Sequence, residues 1–192
     1  MKTKAKQDRS KTTTQVILEA ASQVLVNQGY SRASTNRIAE RAGVSVGTLY
    51  RYFDNKEDIF GELLDQIQSK ILQCIIECPP KPTLRELLET YNRRMLQIFN
   101  DDHELIQSLE RLLSGPFQTQ RNEWREIIID AFETLIKPHA DEITGKNLNL
   151  ASRVVVCASE GLGSGANSVE FQQEGVLPHL LRLQLAYLTS NL

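Results

Sequence analysis

The segment Thr35–Glu57 (TNRIAERAGVSVGTLYRYFDNKE) constrains this chain more than any other, because it places three helix starts and one helix stop within a few turns of chain. The Thr35 hydroxyl is suited to cap a first helix. Ile38, Ala39 and Ala42 then give that helix an apolar edge. Gly43 falls where the helix must end, a position that favours the left-handed conformation glycine adopts without steric cost. Val44 plugs the corner, and Ser45 caps a second helix that carries Leu49 and Phe53 four residues apart on its inner face. Asn55 caps a third helix, with Asp58 at the capping-box position.

Two short helices joined by a tight glycine-containing turn form a helix-turn-helix, whose second helix enters the major groove of DNA. The residues around it suit that task. Ser45, Val46, Gly47 and Thr48 form the end facing base edges, where Gly47 permits close backbone approach and Thr48 offers a hydroxyl and a methyl. Tyr50, Arg51 and Tyr52 offer donors to phosphate, as does Lys56 at the start of the next helix. Thr35, Asn36 and Arg37 project from the start of the first helix and complete the candidate DNA-binding set.

Ile38-Ala39, Ala42-Gly43-Val44-Ser45, Gly47-Thr48-Leu49-Tyr50, Tyr52-Phe53 and Asn55-Lys56-Glu57 stand in one fixed frame, and in it the chain resembles the TetR/AcrR family of bacterial transcriptional regulators. The resemblance covers about Thr13 to Leu64. It implies an all-α protein of about nine helices: an N-terminal three-helix helix-turn-helix domain and a larger C-terminal helical domain for ligand binding and dimerisation. It implies a homodimer held by the last two helices, bound as a repressor to a palindromic operator and released by a small-molecule effector.

Charge supports such a division. Residues 1–57 hold ten Lys and Arg against five Asp and Glu, whereas residues 58–192 hold twelve against nineteen. A basic head on an acidic body suits a nucleic-acid-binding domain joined to one with another task. The expected boundaries are a flexible basic arm at 1–12, the helix-turn-helix domain at 13–57 and the effector domain at 58–192. No apolar run approaches the ~18 residues that would span a membrane. The basic, polar start lacks the apolar core of a secretory signal, so a cytoplasmic location is expected. Three cysteines, Cys74, Cys78 and Cys157, suit free thiols in a reducing compartment. The i, i+4 pair Cys74–Cys78 has no further ligand at hand and reads as buried small hydrophobes.

The rest of the chain follows helical periods. Helix 1 is expected from about Thr13 to Asn27, with Ile17, Ala20, Ala21, Val24 and Leu25 inward. Ile59, Leu63, Ile67, Ile71 and Ile75 mark a long helix 4, a mechanical link between the domains, stopped by Pro79, Pro80 and Pro82. Thr83 caps helix 5. Helix 6 runs from Leu105 to Leu113, and helix 7 from about Phe117 to Ile136. A ligand pocket among helices 4–8 would use Tyr91, Met95, Phe99, Trp124, Ile128 and Phe132, with Arg94, Arg111 or Glu160 orienting a polar group.

Helix 8 begins near Leu148, and Pro178 suits the first turn of helix 9. One rival signal lies between them. Val154-Val155-Val156 before Gly161-Leu162-Gly163-Ser164-Gly165 suggests a strand feeding a dinucleotide loop, and a helix there would remove that reading. The spacing is not G-x-G-x-x-G, and His103, His139 and His179 are scattered, so neither a cofactor nor a metal is expected. No nucleophile–base motif points to an enzyme. A DNA-binding regulator without any small ligand is the other reading left open.

Overall fold

The computed structural model describes residues 2–113, 115, 117–145, 147–165 and 175–190. Among them every regular element is helical: α1 (Lys2–Gln28), α2 (Thr35–Ala42), α3 (Val46–Leu49), α4 (Lys56–Ile76), α5 (Leu84–Asp101), α6 (His103–Leu113), α7 (Gln118–Ile136), α8 (Leu148–Gly165) and α9 (Val176–Thr189), with one 3₁₀ turn at Lys137–His139. The chain forms two compact units. The first holds residues up to Ile67 together with Glu104–Phe117, and the second holds Gln68–His103 and Gln118–Leu192.

In the first unit, α1 starts at Lys2, not near Thr13, so the segment expected as a flexible arm has helical backbone. The reason is local. No glycine or proline precedes Gly29, and Lys, Gln, Ala and Arg are good helix formers. Ile17, Leu18, Ala21, Val24 and Leu25 are buried along one face of α1, against a core completed by Ile38, Leu49, Phe53, Ile59 and Phe60. The ring of Tyr30 meets that of Phe60 edge-on, at a centroid distance of 5.4 Å. The unit thus takes in the first turns of α4, past the expected boundary at residue 57. Nothing breaks the helix there, and Ile59, Phe60, Leu63 and Leu64 face inward. It also takes in α6, whose Ile106, Leu109 and Leu112 are buried.

The core of the second unit joins α5, α7, α8 and α9 through Leu87, Leu88, Tyr91, Ile129, Phe132, Val155 and Leu188, among others. Thr83 caps α5 as expected, accepting from the Glu86 amide at 3.3 Å. A second cap comes from afar: the Glu142 carboxylate accepts the Leu84 amide at 2.9 Å and binds His139 Nδ1 at 2.8 Å. Between α5 and α9, Asn92 and Gln184 exchange amide hydrogen bonds, at 2.7 Å from Asn92 Nδ2 and 3.3 Å from Gln184 Nε2. Both residues are almost fully buried, at 3% and 1% exposure.

Residues Val154–Gly165 continue α8 as one helix. This overturns the dinucleotide-loop reading, because a helix precedes the glycines where a strand would be needed. Valine's preference for strands yields here to a buried helix face carrying Ala151, Val155 and Val156. Residues 166–174, within the 161–176 stretch for which the sequence decides neither helix nor loop, lie outside the described residues.

Candidate functional site

The helix-turn-helix is built by local capping. Ser34, not Thr35, is the N-cap of α2; its hydroxyl accepts from the Arg37 amide at 3.4 Å. Adjacent hydroxyl residues compete for such a role, and the extended backbone falls on Ser34. Thr35, one residue inside, instead meets the Tyr50 phenol at 3.1 Å and so joins the start of α2 to the end of α3. Gly43 ends α2 at φ +66°, a conformation that favours glycine. Ser45 caps α3 by accepting from the Thr48 amide at 3.0 Å, and the two hydroxyls lie 2.8 Å apart. The α-helical part of the second helix is a single turn, Val46–Leu49, shorter than the expected span through Phe53. The chain then turns toward Asn55, whose side chain accepts from the Asp58 amide at 2.8 Å, while Asp58 accepts from the Asp54 amide at 3.0 Å. Even so, the Phe53 amide donates to Leu49 at 3.1 Å, which keeps both side chains on the buried face.

The opposite side is open to solvent. Asn36, Arg37, Ser45, Gly47, Tyr50 and Arg51 are exposed, Tyr50 to 49%. Thr35, Val46, Thr48, Tyr52 and Lys56 are half-buried. Two further predicted contact residues, beyond the Thr35–Tyr50 and Ser45–Thr48 pairs, have structural partners. Arg37 donates to Gln28 Oε1 at 2.7 Å and to the Arg32 carbonyl at 3.0 Å. The Lys56 ammonium sits 3.9 Å from the centre of the Tyr30 ring and donates to the Tyr30 carbonyl at 3.2 Å. Tyr30 in turn donates to Glu57 at 2.7 Å. Burial, followed by that bond to a carboxylate, pushes the Tyr30 phenol up to about 12, and the same bond draws Glu57 below the usual carboxylate value. This polar clasp joins the start of α4 to the α1–α2 connection. Its members are 26 and 27 residues apart, so no sequence motif announces it.

The family model for bacterial regulatory proteins of the tetR family matches residues 17–63, the stretch from mid-α1 into α4 that builds this geometry. Over this stretch the chain is similar to the tetR family. Similarity to other known proteins extends beyond that stretch. It is 34% identical over 90 residues to the fatty acid metabolism regulator protein of Bacillus subtilis, a match covering 46% of either chain. The chain therefore aligns with about half the length of that relative. Among solved structures, it is similar to a putative TetR-family transcriptional regulator from Syntrophomonas wolfei, with a TM-score of 0.79 and 18% identity over 95% of this chain and 98% of that one. It is also similar to the fatty acid degradation regulator FadR from Bacillus halodurans, with a TM-score of 0.75 and 21% identity over 93% and 95% of the two chains. At these identities the structures speak to the fold alone.

The residues predicted to line a ligand pocket separate in the structure. Tyr91, Met95 and Phe99 border a cavity of about 50 Å³ beside Ser159 and Leu180. Ile128 and Phe132 are core residues, Phe132 lying 5.2 Å from the Tyr91 ring between centroids, and Trp124 is half-buried against the same core. Of the polar candidates, Glu160 is paired with Arg125 at 2.9 Å, Arg94 lies beside Cys74, and Arg111 is exposed. Cys74 and Cys78 are buried, and burial raises both thiols, which keeps them protonated and unreactive. A much larger cleft, about 850 Å³, opens elsewhere in the second unit. It runs between the end of α4, the proline-rich connection and the last turns of α7, with Glu142 and His139 at its edge. Periodicity could not reveal it, because its walls come from separate stretches of chain. Among the described residues no group of three or more His, Cys, Asp or Glu is placed to hold a metal ion, and no helix is long and apolar enough to cross a membrane.

Proposed function

We propose that this chain is a sequence-specific DNA-binding transcriptional regulator that works in the cytoplasm as a homodimer on a palindromic operator. The observation that carries this reading is the exposed face around α3, with Gly47, Tyr50 and Arg51 displayed on a rigidly capped TetR-family helix-turn-helix. The α3 turn supplies base contacts through Val46, Gly47 and Thr48. Tyr50, Arg51 and Tyr52, with Asn36 from α2, supply phosphate contacts. Arg37 and Lys56 act in a second way, fixing α2 and α4 through their bonds to Gln28 and Tyr30.

Dimerisation uses the outer faces of α8 and α9. Leu150, Val154, Cys157 and Gly161 recur at heptad-like spacing along α8, and all are exposed in the isolated chain. On α9, Leu183 is 50% exposed and Ala186 lies three residues on. Such exposed apolar stripes on adjacent helices suit burial against the same stripes of a second copy. A small, largely apolar ligand bound in the second unit releases the DNA. It can do so only by favouring one conformer over another, and the loss of DNA affinity equals that difference.

Selection of bound sequences from random duplex DNA by the purified protein, at near-physiological salt, tests this reading. Enrichment of a palindrome is expected. Arg51→Ala should then weaken binding to that site and lower its salt dependence by roughly one phosphate contact. Recovery of no sequence by a folded dimer refutes the assignment.

A further inference from the structure

The geometry points to a ligand site in the α4–α7 cleft, built for an aliphatic chain that ends in a cation. The walls are aliphatic: Ile76 is 69% exposed and Ile127 49% exposed, both facing this open cleft, and apart from the His139 imidazole no lining residue carries an aromatic ring. A volume of about 850 Å³ falls in the range of small-molecule sites. The walls favour a flexible hydrocarbon over a flat ring system, which would want aromatic faces to stack on.

The charged groups select the head group. Asp130, Asp141 and Glu142 line the cleft, against a single ammonium, Lys81. Asp130 and Asp141 are exposed, and Asp130 also lies within electrostatic reach of Arg153, whose guanidinium is paired with Glu126. Glu142 is fixed in place by the Leu84 amide and His139. An excess of carboxylate around an apolar trough lowers the energy of a bound cation and raises that of a bound anion. The occupant is therefore an alkylammonium amphiphile rather than a fatty carboxylate. Binding at this cleft stands on its own geometry; its use as the DNA-releasing signal rests on the regulator reading above.

Titration calorimetry of the full chain with decyltrimethylammonium, decanoate and decanol, each below its micellar concentration and at fixed ionic strength, tests the site. The cation should bind saturably and most tightly of the three. Asp130→Asn with Asp141→Asn should weaken the cation by about tenfold and leave decanol unchanged, the scale expected for two solvent-exposed charges. Ile127→Lys, a change at an exposed position that need not disturb folding, should abolish cation binding. Tightest binding by decanoate overturns the proposal, as does cation binding that neither variant alters. Operator release is read separately. Release from the native chain but not from Ile127→Lys makes the cleft the regulatory site. Saturable binding without release keeps the cleft and removes that use, whereas failure to select any operator counts against the regulator reading alone.

Discussion

The buried amide pair between α5 and α9 gives the sharpest test of how the second unit holds together. Asn92→Ala deletes one side of a reciprocal exchange whose members are 3% and 1% exposed. Two costs follow. Gln184 loses its donor and its acceptor in a place water does not reach, worth about 1–3 kcal/mol. The atoms removed leave a small void, adding roughly 1 kcal/mol. The expected loss is therefore about 2–4 kcal/mol, a large part of the stability of an ordinary domain. Replacing both partners, Asn92→Leu with Gln184→Leu, removes the stranded polar group and should cost less than Asn92→Ala alone. Urea unfolding followed by far-ultraviolet circular dichroism and by the fluorescence of Trp124, the single tryptophan, measures both variants. Chain concentration must be held constant, since association would add to apparent stability. A loss below about 0.5 kcal/mol for Asn92→Ala, or a double variant worse than the sum of its single changes, would refute the reasoning.

Three smaller predictions concern single positions. Gly43→Ala forces a side chain onto φ +66° and should destabilise the first unit by about 1–2 kcal/mol, read as a lower unfolding midpoint with α2 helicity reduced. Ser152 is fully buried on α8 and its hydroxyl has no hydrogen-bond partner, so Ser152→Ala should leave stability unchanged or raise it in the same urea assay. Tyr30→Phe removes the bond that draws Glu57 down. A lowered carboxylate value means stability that is present above the usual value and lost as pH falls through the folded one. The gap between native and Tyr30→Phe unfolding midpoints should thus narrow below about pH 4, and it should be small throughout because Glu57 is largely exposed.

Much of this molecule was legible from neighbouring residues, and the parts that were not share a cause. Gly43, Ser45 and Thr83 announce helix ends because caps act over three or four residues. The start of α1 was misjudged because a run of lysines reads equally as a solvated coil and as a helix. The cap on α2 moved by one residue because Ser34 and Thr35 carry the same chemistry. Phe132 suggested a pocket and proved to be core: an apolar helical stripe has the same spacing whether it meets a ligand or another helix. Asn92–Gln184 and Glu142–Leu84 join residues 92 and 58 positions apart, and each half alone looks like an ordinary polar residue on a helix or turn. The cleft depends on α4, α7 and the connections that follow them meeting in space, which no local period encodes.

The Glu142 carboxylate also makes two parts of the second unit open together. The first turn of α5 and the turn after α7 share one oxygen, bonded to the Leu84 amide and to His139. Neither can swing into solvent without stripping the other of a partner, so their amides are coupled into one cooperative opening unit. The alkylammonium cleft has Glu142 and His139 among its lining residues. An occupant there would act as a brake on that opening, and its presence would be felt along α5 as slower hydrogen exchange before any helix had moved.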